Sequence, residues 1–418
     1  MGPTPSSLTH LVMNAPGSAR PHIAILGAGP TGLEAALAAV DSGNPFTLYE
    51  AGGKIAAYIR SWGHVRLFSP WNLNLSPRMR RHLTAASQDC PSGERCPSGF
   101  DLISKVLEPL AALPTISPHL ELESRVLAIG REELLKHEEI GTAARGNRPF
   151  RLLVSDPEGN ERIVHADIVL DCTGTYGNPN RLGDGGIPAP GEAACKDHIY
   201  RRIPDLSGEA QEWANKTTLL VGAGYSAQTA ACDFAGLAAQ APKSRLIWAL
   251  RNPRPRFESI PDDPLPERAR LTAAAQQLLE SRVRWLEVLP GVVISSITSS
   301  NGELEITLRY SHGGKRLVTV DRVLSLTGYV GDHHIYRQLQ IHECYATCGP
   351  MQLATALLGS AGGDCLTQES RGPDTLKNPE PNFFILGSKS YGRNPTFLMR
   401  VGWQQVEDVF GILTDSPK

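Results

Sequence analysis

The sequence predicts an α/β fold that contains two Rossmann-like units, and three observations lead to that prediction. Residues 23–37, IAILGAGPTGLEAAL, run from an apolar stretch through paired glycines into a series of small helix-forming residues. Residues 217–231, TTLLVGAGYSAQTAA, repeat this order. The chain has 418 residues, which is enough for two domains with hydrophobic cores of their own. Units of this kind build parallel sheets.

The first glycine turn has the spacing G-x-G-x-x-G, formed by Gly27, Gly29 and Gly32. Gly27 permits a tight turn, Gly29 leaves room for a pyrophosphate beside the backbone, and Gly32 lets the helix pack closely on the strand. The next strand, PFTLYE, ends in Glu50, whose carboxylate can accept hydrogen bonds from a ribose diol. These features predict a dinucleotide with a free ribose; a purely structural glycine turn is the alternative.

The second glycine turn contains Gly222 and Gly224, with Ala227 as the small residue at the third position. The strand that follows ends in Arg251 and opens the arginine-rich stretch RNPRPR, residues 251–256. Guanidinium groups would hold a 2′-phosphate that a carboxylate would repel. The second turn therefore predicts NADPH, and a solvated surface loop is the alternative for the arginines.

Two different dinucleotides in one chain indicate that NADPH reduces a second, tightly held carrier. The usual carrier with an unmodified adenosine ribose is FAD. We therefore expect FAD on the first turn and NADPH on the second.

At this point the chain resembles the flavoproteins with two dinucleotide-binding domains, and among them the flavin-containing monooxygenase-like enzymes. Residues 165–180, HADIVLDCTGTYGNPN, and 320–332, VDRVLSLTGYVGD, are similar to the segments where the chain leaves and re-enters the FAD domain. Residues 381–406 are similar to the closing flavin segment. The resemblance implies a discontinuous FAD domain with an inserted NADPH domain, in this order: a disordered tail at 1–20, FAD domain at 21–205, NADPH domain at 206–330 and FAD domain again at 331–418.

The same resemblance suggests further site residues. The segment NLSPRM is similar to one that places an Asn beside the reactive edge of the flavin, which implies Asn74, with Asn72 as second choice. Apart from the resemblance, His64, in SWGHVR near the presumed flavin face, is a candidate to contact the substrate. The remaining expected cofactor contacts are Thr173, Gly174, Ser226, Gly387 and Ser388.

The stretches between the glycine turns predict the other elements. Residues 60–100 are irregular and are expected to cap the flavin. Residues 100–113, FDLISKVLEPLAAL, have the apolar spacing of an amphipathic helix. Three β-rich stretches separated by turn residues, 124–132, 149–156 and 161–171, predict an antiparallel meander.

The favoured function is an FAD- and NADPH-dependent monooxygenase that oxygenates a soft N or S atom of a small molecule through a flavin C4a-hydroperoxide. Asn74 would protect that adduct in a dry site. The alternative is an NADPH-dependent reductase of a disulfide or another acceptor, with Cys344 and Cys348 as a possible dithiol. A flavin-binding sensor that has lost turnover is a third hypothesis, and it would not need both glycine turns.

A zinc site formed by His342, Cys344, Cys348 and Cys365 is conceivable, but the spacing is not that of a compact finger, and no metal is expected. Cys90 and Cys96 lie in a Pro/Gly-rich loop rather than at a helix N-terminus that would activate a thiol.

Composition argues against several classes of protein. The net charge of −2, without a block of one sign, does not suit a nucleic-acid binder. No apolar run reaches the ~18 residues of a membrane span, and the first residues lack the pattern of a signal peptide. Eight cysteines scattered along the chain are typical of a reduced protein. We therefore expect a cytoplasmic enzyme acting on a small molecule, with O₂ as co-substrate if it is a monooxygenase.

Overall fold

The computed structural model describes residues 20–258, 260–300, 302–358 and 370–415. The expected disordered tail lies outside this part of the chain except for Arg20. The strands are β1 (Ile23–Leu26), β2 (Phe46–Tyr49), β3 (Leu120–Glu121), β4 (Arg125–Arg131), β5 (Phe150–Ser155), β6 (Glu161–Ala166), β7 (Ile168–Asp171), β8 (Ile199–Tyr200), β9 (Thr217–Val221), β10 (Arg245–Leu250), β11 (Leu286–Pro290), β12 (Val292–Ser300), β13 (Glu303–Tyr310), β14 (Lys315–Val320), β15 (Arg322–Ser325), β16 (Glu343–Cys344), β17 (Gly349–Pro350) and β18 (Phe383–Ile385).

In chain order, most of the α-helices follow one strand of a parallel sheet and precede the next. None of those in the described residues is long and apolar enough to cross a membrane. They are α1 (Pro30–Ser42), α2 (Ala57–Arg60), α3 (Trp71–Asn74), α4 (Pro77–Ala85), α5 (Gly99–Leu102), α6 (Glu108–Ala111), α7 (Ala143–Gly146), α8 (Ala210–Trp213), α9 (Tyr225–Gln240), α10 (Pro266–Glu280), α11 (Met351–Leu357) and α12 (Met399–Asp415).

Two five-stranded parallel sheets form the centres of two domains. The first sheet has the order β18–β7–β1–β2–β3, and the second has the order β11–β10–β9–β15–β8. The strands that precede the glycine turns, β1 and β9, each lie between two parallel neighbours. Strands in this position are covered on both faces, which explains why their sequences are continuous apolar runs. The predicted α/β fold with two Rossmann-like units is confirmed.

Two three-stranded antiparallel sheets, β4–β5–β6 and β12–β13–β14, accompany the parallel ones. The meander expected over 124–132, 149–156 and 161–171 is present, but its last stretch divides at Asp167. Strand β6 completes the meander, whereas β7 enters the first parallel sheet beside β1. All four residues of β7 are buried, as expected for a central strand rather than for one face of a meander.

An amphipathic helix is expected over 100–113. The chain is helical there from Gly99 to Ala111, with a π-helical turn, Ile103–Leu107, between α5 and α6. Pro109 explains this irregularity. Its ring would collide with the carbonyl four residues earlier in a regular α-helix, and it has no N–H to donate. The apolar face still packs into the first domain, where Leu102 and Leu110 are buried.

Part of the chain before residue 206 packs with the second sheet. Strand β8 is the edge strand of the second sheet. Leu182 and Cys195 pack into the core that lies between this sheet and β12–β14. The segment 182–200 therefore belongs with the second domain, because its apolar side chains are buried there. The last strand of the second sheet, β15, ends at Ser325, close to the expected return at 330.

Candidate active site

One edge of the first sheet gathers the predicted cofactor residues. The parallel register aligns the last residues of β1, β2, β7 and β18 at the carboxyl edge of the sheet. The loops that follow these strands line a cavity of about 490 Å³. Open α/β sheets bind ligands at this edge. Two glycines of the first turn line this cavity, and Gly32, which lies behind the turn, does not. The other predicted residues in the lining are Glu50, Thr173, Gly174, Gly387 and Ser388.

The glycines of the first turn have different surroundings. Gly27 has φ +93°, and a side chain at Gly32 would place its Cβ 1.8 Å from the Gly27 oxygen. These two positions require glycine for the protein's own packing. A Cβ at Gly29 would have no protein atom within 4 Å, although this residue lines the cavity. Packing within the protein therefore does not require glycine at position 29, and the open space beside it can hold a ligand.

The start of α1 faces this open space. Gly29 is the N-cap, and no side chain caps the helix. The first backbone N–H groups of a helix have no partner within the helix, and they favour an anion together with the positive end of the dipole. This arrangement can hold the phosphates of a nucleotide.

Glu50 stands on the opposite side of the same turn. One carboxylate oxygen accepts a hydrogen bond from the Ala28 N–H (2.9 Å) and the other accepts one from the Gly52 N–H (2.8 Å). These bonds fix the carboxylate at the cavity wall and leave it further lone pairs. The geometry permits hydrogen bonds from the two hydroxyl groups of a ribose.

Ser388 and the N-terminus of α12 close the far side of the cavity. A Cβ on Gly174 would lie 3.6 Å from the Ser388 hydroxyl oxygen, so these two residues face each other. Gly387 has φ +73°, and its N–H donates to the Gln405 side chain (2.9 Å). Residues 397–400 also line the cavity, which brings the start of α12 to it.

A buried ion pair beneath this wall was not foreseen in the sequence. The Lys389 ammonium lies 2.6 Å from an Asp171 carboxylate oxygen, and both side chains are inaccessible to solvent. The other carboxylate oxygen accepts hydrogen bonds from the hydroxyl (2.6 Å) and the N–H (3.1 Å) of Thr173. The pair therefore ties Thr173 to the segment that carries Ser388. An acid at the end of the otherwise apolar strand IVLD was the signal that could have revealed it.

Asn74 lines the cavity, but its amide group is occupied. Its Nδ2 donates to the backbone oxygens of Ser69 (2.7 Å) and Pro70 (3.0 Å), and its Oδ1 accepts from the Ser69 hydroxyl (2.7 Å). Both N–H bonds of the amide are therefore used inside the loop. Asn72 is exposed and contacts Glu94 and Gly93 instead of the cavity. A donor role for Asn74 stays a prediction, and it would require one of these bonds to break.

Aromatic side chains form the wall opposite the sheet. Tyr58, Trp62 and Tyr176 line the cavity, and the ring centroids of Trp62 and Tyr176 lie 6.0 Å apart. The Tyr176 ring also contacts Tyr329 at 4.9 Å. The indole N–H of Trp62 is buried and has no hydrogen-bond partner among the described residues. A buried donor without a partner is uncommon in proteins, and this one is available to a ligand.

His64 does not line this cavity, which differs from its expected position beside the cofactor. It lies at a second cavity of about 570 Å³, together with Asp205, Cys232 and Asp233 of the second domain. The position of His64 follows from the packing of the two domains. Its predicted contact with a substrate stays a prediction.

The second glycine turn repeats the first in geometry. A Cβ at Gly222 would lie 2.2 Å from the Leu326 oxygen, whereas a Cβ at Gly224 would have no protein atom within 4 Å. Gly224 is the N-cap of α9, again without a side-chain cap. Ala227 is fully buried and Ser226 is exposed. The open start of α9 is therefore a second place where phosphates can bind.

Arg251 follows the last residue of β10 at the carboxyl edge of the second sheet. Arg251, Arg254 and Arg256 are exposed. None of the three side chains forms an ion pair within the described ranges. Their charges remain available to a ligand at this edge.

Most of the described cysteines lie away from the first cavity. Of the cysteines in the described ranges, Cys172 alone lines it. Burial, followed by the nearby Asp171 carboxylate, raises the pKa of the Cys172 thiol well above its ordinary value. Cys344 and Cys348 lie in a turn outside the cavity, and Cys365 lies outside the described residues. No cluster of three metal-binding side chains occurs in the part of the chain that the structure describes.

Comparison with known proteins gives structural likeness alone. No family model matches the sequence, and no curated protein matches it. The fold is similar to bacillithiol disulfide reductase from Bacillus cereus, with a TM-score of 0.68, 17% identity, and coverage of 95% of this chain and 100% of that one. It is also similar to thioredoxin reductase from Lactococcus lactis, with a TM-score of 0.58, 14% identity, and coverage of 95% and 100%.

A third similar structure is ornithine hydroxylase from Pseudomonas aeruginosa, with a TM-score of 0.62, 14% identity, and coverage of 94% of this chain and 98% of that one. These similarities extend over nearly the whole chain. They show that it has the fold of the two-domain flavoproteins, in which reductases and hydroxylases both occur.

Proposed function

We propose that this chain is an oxidoreductase that holds FAD on its first glycine turn and uses NADPH bound to the second. The observation that carries the proposal is the single cavity that extends from Glu50 past Gly29 to Trp62. It offers an acid for a ribose, an uncapped helix N-terminus for phosphates, and an aromatic wall with a free N–H. The residues present fit FAD, because a side chain at Gly29 would project into space that no protein atom fills.

The chain's own residues would divide the work of binding. Glu50 would accept hydrogen bonds from the ribose, and the first N–H groups of α1 would bind the pyrophosphate. Thr173 and Ser388 would contact the part of the cofactor nearer the aromatic wall. Bound FAD supplies hydride acceptance from NADPH and, in its reduced form, reaction with O₂.

Within this class, we favour a monooxygenase that oxygenates a soft N or S atom of a small molecule. Tyr58, Trp62 and Tyr176 would exclude water from the reacting edge of the cavity. The Trp62 N–H offers a hydrogen-bond donor that the engaged amide of Asn74 does not. Cys172 has a pKa raised by burial, so it is protonated at neutral pH and is a poor nucleophile for disulfide reduction.

A reductase of a disulfide or another acceptor is the second candidate. It is supported by the structural similarity to bacillithiol disulfide reductase and thioredoxin reductase. A dithiol mechanism would need cysteines that reach the flavin, and neither Cys344 nor Cys348 lines the cavity.

Stoichiometry with and without oxygen distinguishes the two activities. A monooxygenase consumes one O₂ for each NADPH, releases water, and yields one oxygenated amine or sulfide, so turnover stops when oxygen is removed. A reductase converts one disulfide into two thiols for each NADPH and continues without oxygen. When the protein is tested on a panel of amines, sulfides and disulfides, we expect oxygen-dependent turnover that yields an oxygenated amine or sulfide. Oxygen-independent thiol release would establish the reductase, and FMN instead of FAD in the released cofactor would contradict the proposed site.

Arg251→Ala tests the assignment of NADPH to the second turn. A charge-assisted hydrogen bond to the 2′-phosphate contributes on the order of 1.5–3 kcal/mol. The KM for NADPH should therefore rise roughly ten- to a hundredfold, with little change for NADH and no loss of flavin. Steady-state kinetics with both nucleotides provides the measurement.

Arg245→Ala is the matched control, because Arg245 lies at the opposite end of the same strand and is also exposed. It should leave both KM values unchanged. Equal increases for NADPH and NADH in Arg251→Ala would assign Arg251 a structural role and refute the phosphate contact.

A further inference from the structure

The turn between β16 and β17 brings two cysteines together. The N–H of Cys348 donates to the Cys344 oxygen (2.8 Å), and Cys344 pairs with Gly349 in the antiparallel register. A hydrogen bond from residue i+4 to residue i closes one helix-like turn, which places the two Cα atoms roughly 6 Å apart. Disulfides span Cα separations of about 4.4–6.8 Å. The backbone of this turn therefore brings the two Cα atoms within the range that a disulfide spans.

Both cysteines are reduced and accessible in this structure. Each is partly exposed, and Tyr345 between them is 94% exposed. By contrast, Cys172 and Cys195 are buried. Cys348 has φ +55°, in the left-handed region that residues other than glycine seldom adopt. Because both cysteines are partly exposed, a small reagent can reach the turn from solvent.

The surroundings of Cys344 favour its thiolate form. Thr347, through its hydroxyl and its backbone N–H, lowers the pKa of the Cys344 thiol. A lower thiol pKa increases the fraction of thiolate, which is the species that attacks a disulfide. Cys344 therefore suits the first step of an exchange reaction, and Cys348 is positioned for the second.

We propose that Cys344 and Cys348 form a redox-modification site that closes to an intramolecular disulfide by exchange with a small dialkyl disulfide. The Cys344 thiolate attacks one sulfur of the reagent, forms a mixed disulfide and releases one thiolate. The Cys348 thiolate then attacks the Cys344 sulfur, forms the intramolecular bond and releases the second thiolate. The two protein thiols are oxidised, and the reagent is reduced to two thiols.

The site is joined to the wall of the first cavity through the backbone. The N–H of Arg393 donates to the Thr347 oxygen (2.7 Å), and a Cβ at Gly392 would lie 2.1 Å from that oxygen. Residues 392–393 follow directly on the segment Gly387–Tyr391, whose first two residues line the cavity. Closure of the disulfide would stiffen the turn against this segment. The exchange itself needs neither nucleotide, so it does not depend on the proposed function.

Intact-mass and peptide analysis of the whole protein tests the site. The full chain is incubated with bis(2-hydroxyethyl) disulfide, quenched with acid and digested without reduction. We expect the wild-type protein to lose two hydrogens and to give a cross-linked peptide that joins Cys344 to Cys348. Cys348→Ser should instead retain one reagent adduct on Cys344. Cys344→Ser should give no intramolecular cross-link and should retain any reagent adduct on Cys348.

Cys90→Ser and Cys365→Ser are the controls, and both should form the same cross-link as the wild type. A cross-link that includes Cys90 or Cys365 would overturn the proposal. It would also be overturned if the wild type accumulated a stable adduct on Cys344 while Cys348 stayed free, or if neither thiol reacted. None of these outcomes bears on whether the chain binds FAD or NADPH.

Discussion

Gly29→Val should abolish flavin binding while the protein remains folded. Gly29 has φ −87° and ψ −172°, which other residues adopt readily, and a Cβ there would have no protein atom within 4 Å. The valine side chain would instead fill the space proposed for the pyrophosphate. We expect the dissociation constant for FAD to rise at least roughly a hundredfold, which corresponds to about 2.7 kcal/mol. Flavin titration and thermal melting of the flavin-free protein measure the two properties separately.

Gly224→Val is the matched control at the second turn. Gly224 has φ −72°, and the space beside it is equally free of protein atoms. This variant should keep its flavin and lose affinity for NADPH. Loss of flavin from Gly224→Val, with flavin retained by Gly29→Val, would reverse the assignment of the two cofactors.

Gly32→Ala should behave differently from both variants, because its Cβ would lie 1.8 Å from the Gly27 oxygen. The helix would have to move away from the strand, so we expect a lower melting temperature together with the loss of flavin. A variant that melts like the wild type would show that close packing at Gly32 is not required.

Glu380→Gln should lower the free energy of unfolding by about 3–5 kcal/mol, because it removes the carboxylate charge that pairs with two buried guanidinium groups. The Glu380 carboxylate lies 2.7 Å from Arg131 and 2.9 Å from Arg145, and all three side chains are at most 1% exposed. It also accepts a hydrogen bond from the Gln340 N–H (2.8 Å). Glutamine keeps the shape but leaves two guanidinium groups without a counter-charge.

Glu133→Gln is the control for the loss of stability expected of Glu380→Gln. Glu133 pairs with Arg148 at 2.8 Å, but the two side chains are 68% and 51% exposed. Solvent screens such a pair, so its removal should cost less than about 1 kcal/mol. Urea unfolding followed by circular dichroism compares both variants with the wild type. Equal unfolding midpoints for the two variants would show that the buried Glu380 cluster contributes no more to stability than the exposed pair.

The two strand–turn–helix units are predictable from the sequence. Their signals are local: apolar strands, glycines at set spacing, and a helix of small residues within about fifteen positions. The acid at Glu50 and the arginine at Arg251 each follow the next strand of their unit, so chain order alone predicts their proximity to the turns. The meander of β4–β6 was foreseeable for the same reason, since neighbouring strands in sequence pair with each other.

The surroundings of these units depend on contacts between distant parts of the chain. Lys389 meets Asp171 across 218 positions, and Arg145 meets Glu380 across 235, so the sequence does not show which residues pair with each other. The position of His64 depends on how the two domains pack, and the occupied amide of Asn74 depends on the path of a single loop. Charge burial and hydrogen-bond saturation are properties of the packed chain, because they exist only when distant segments exclude water from the same groups.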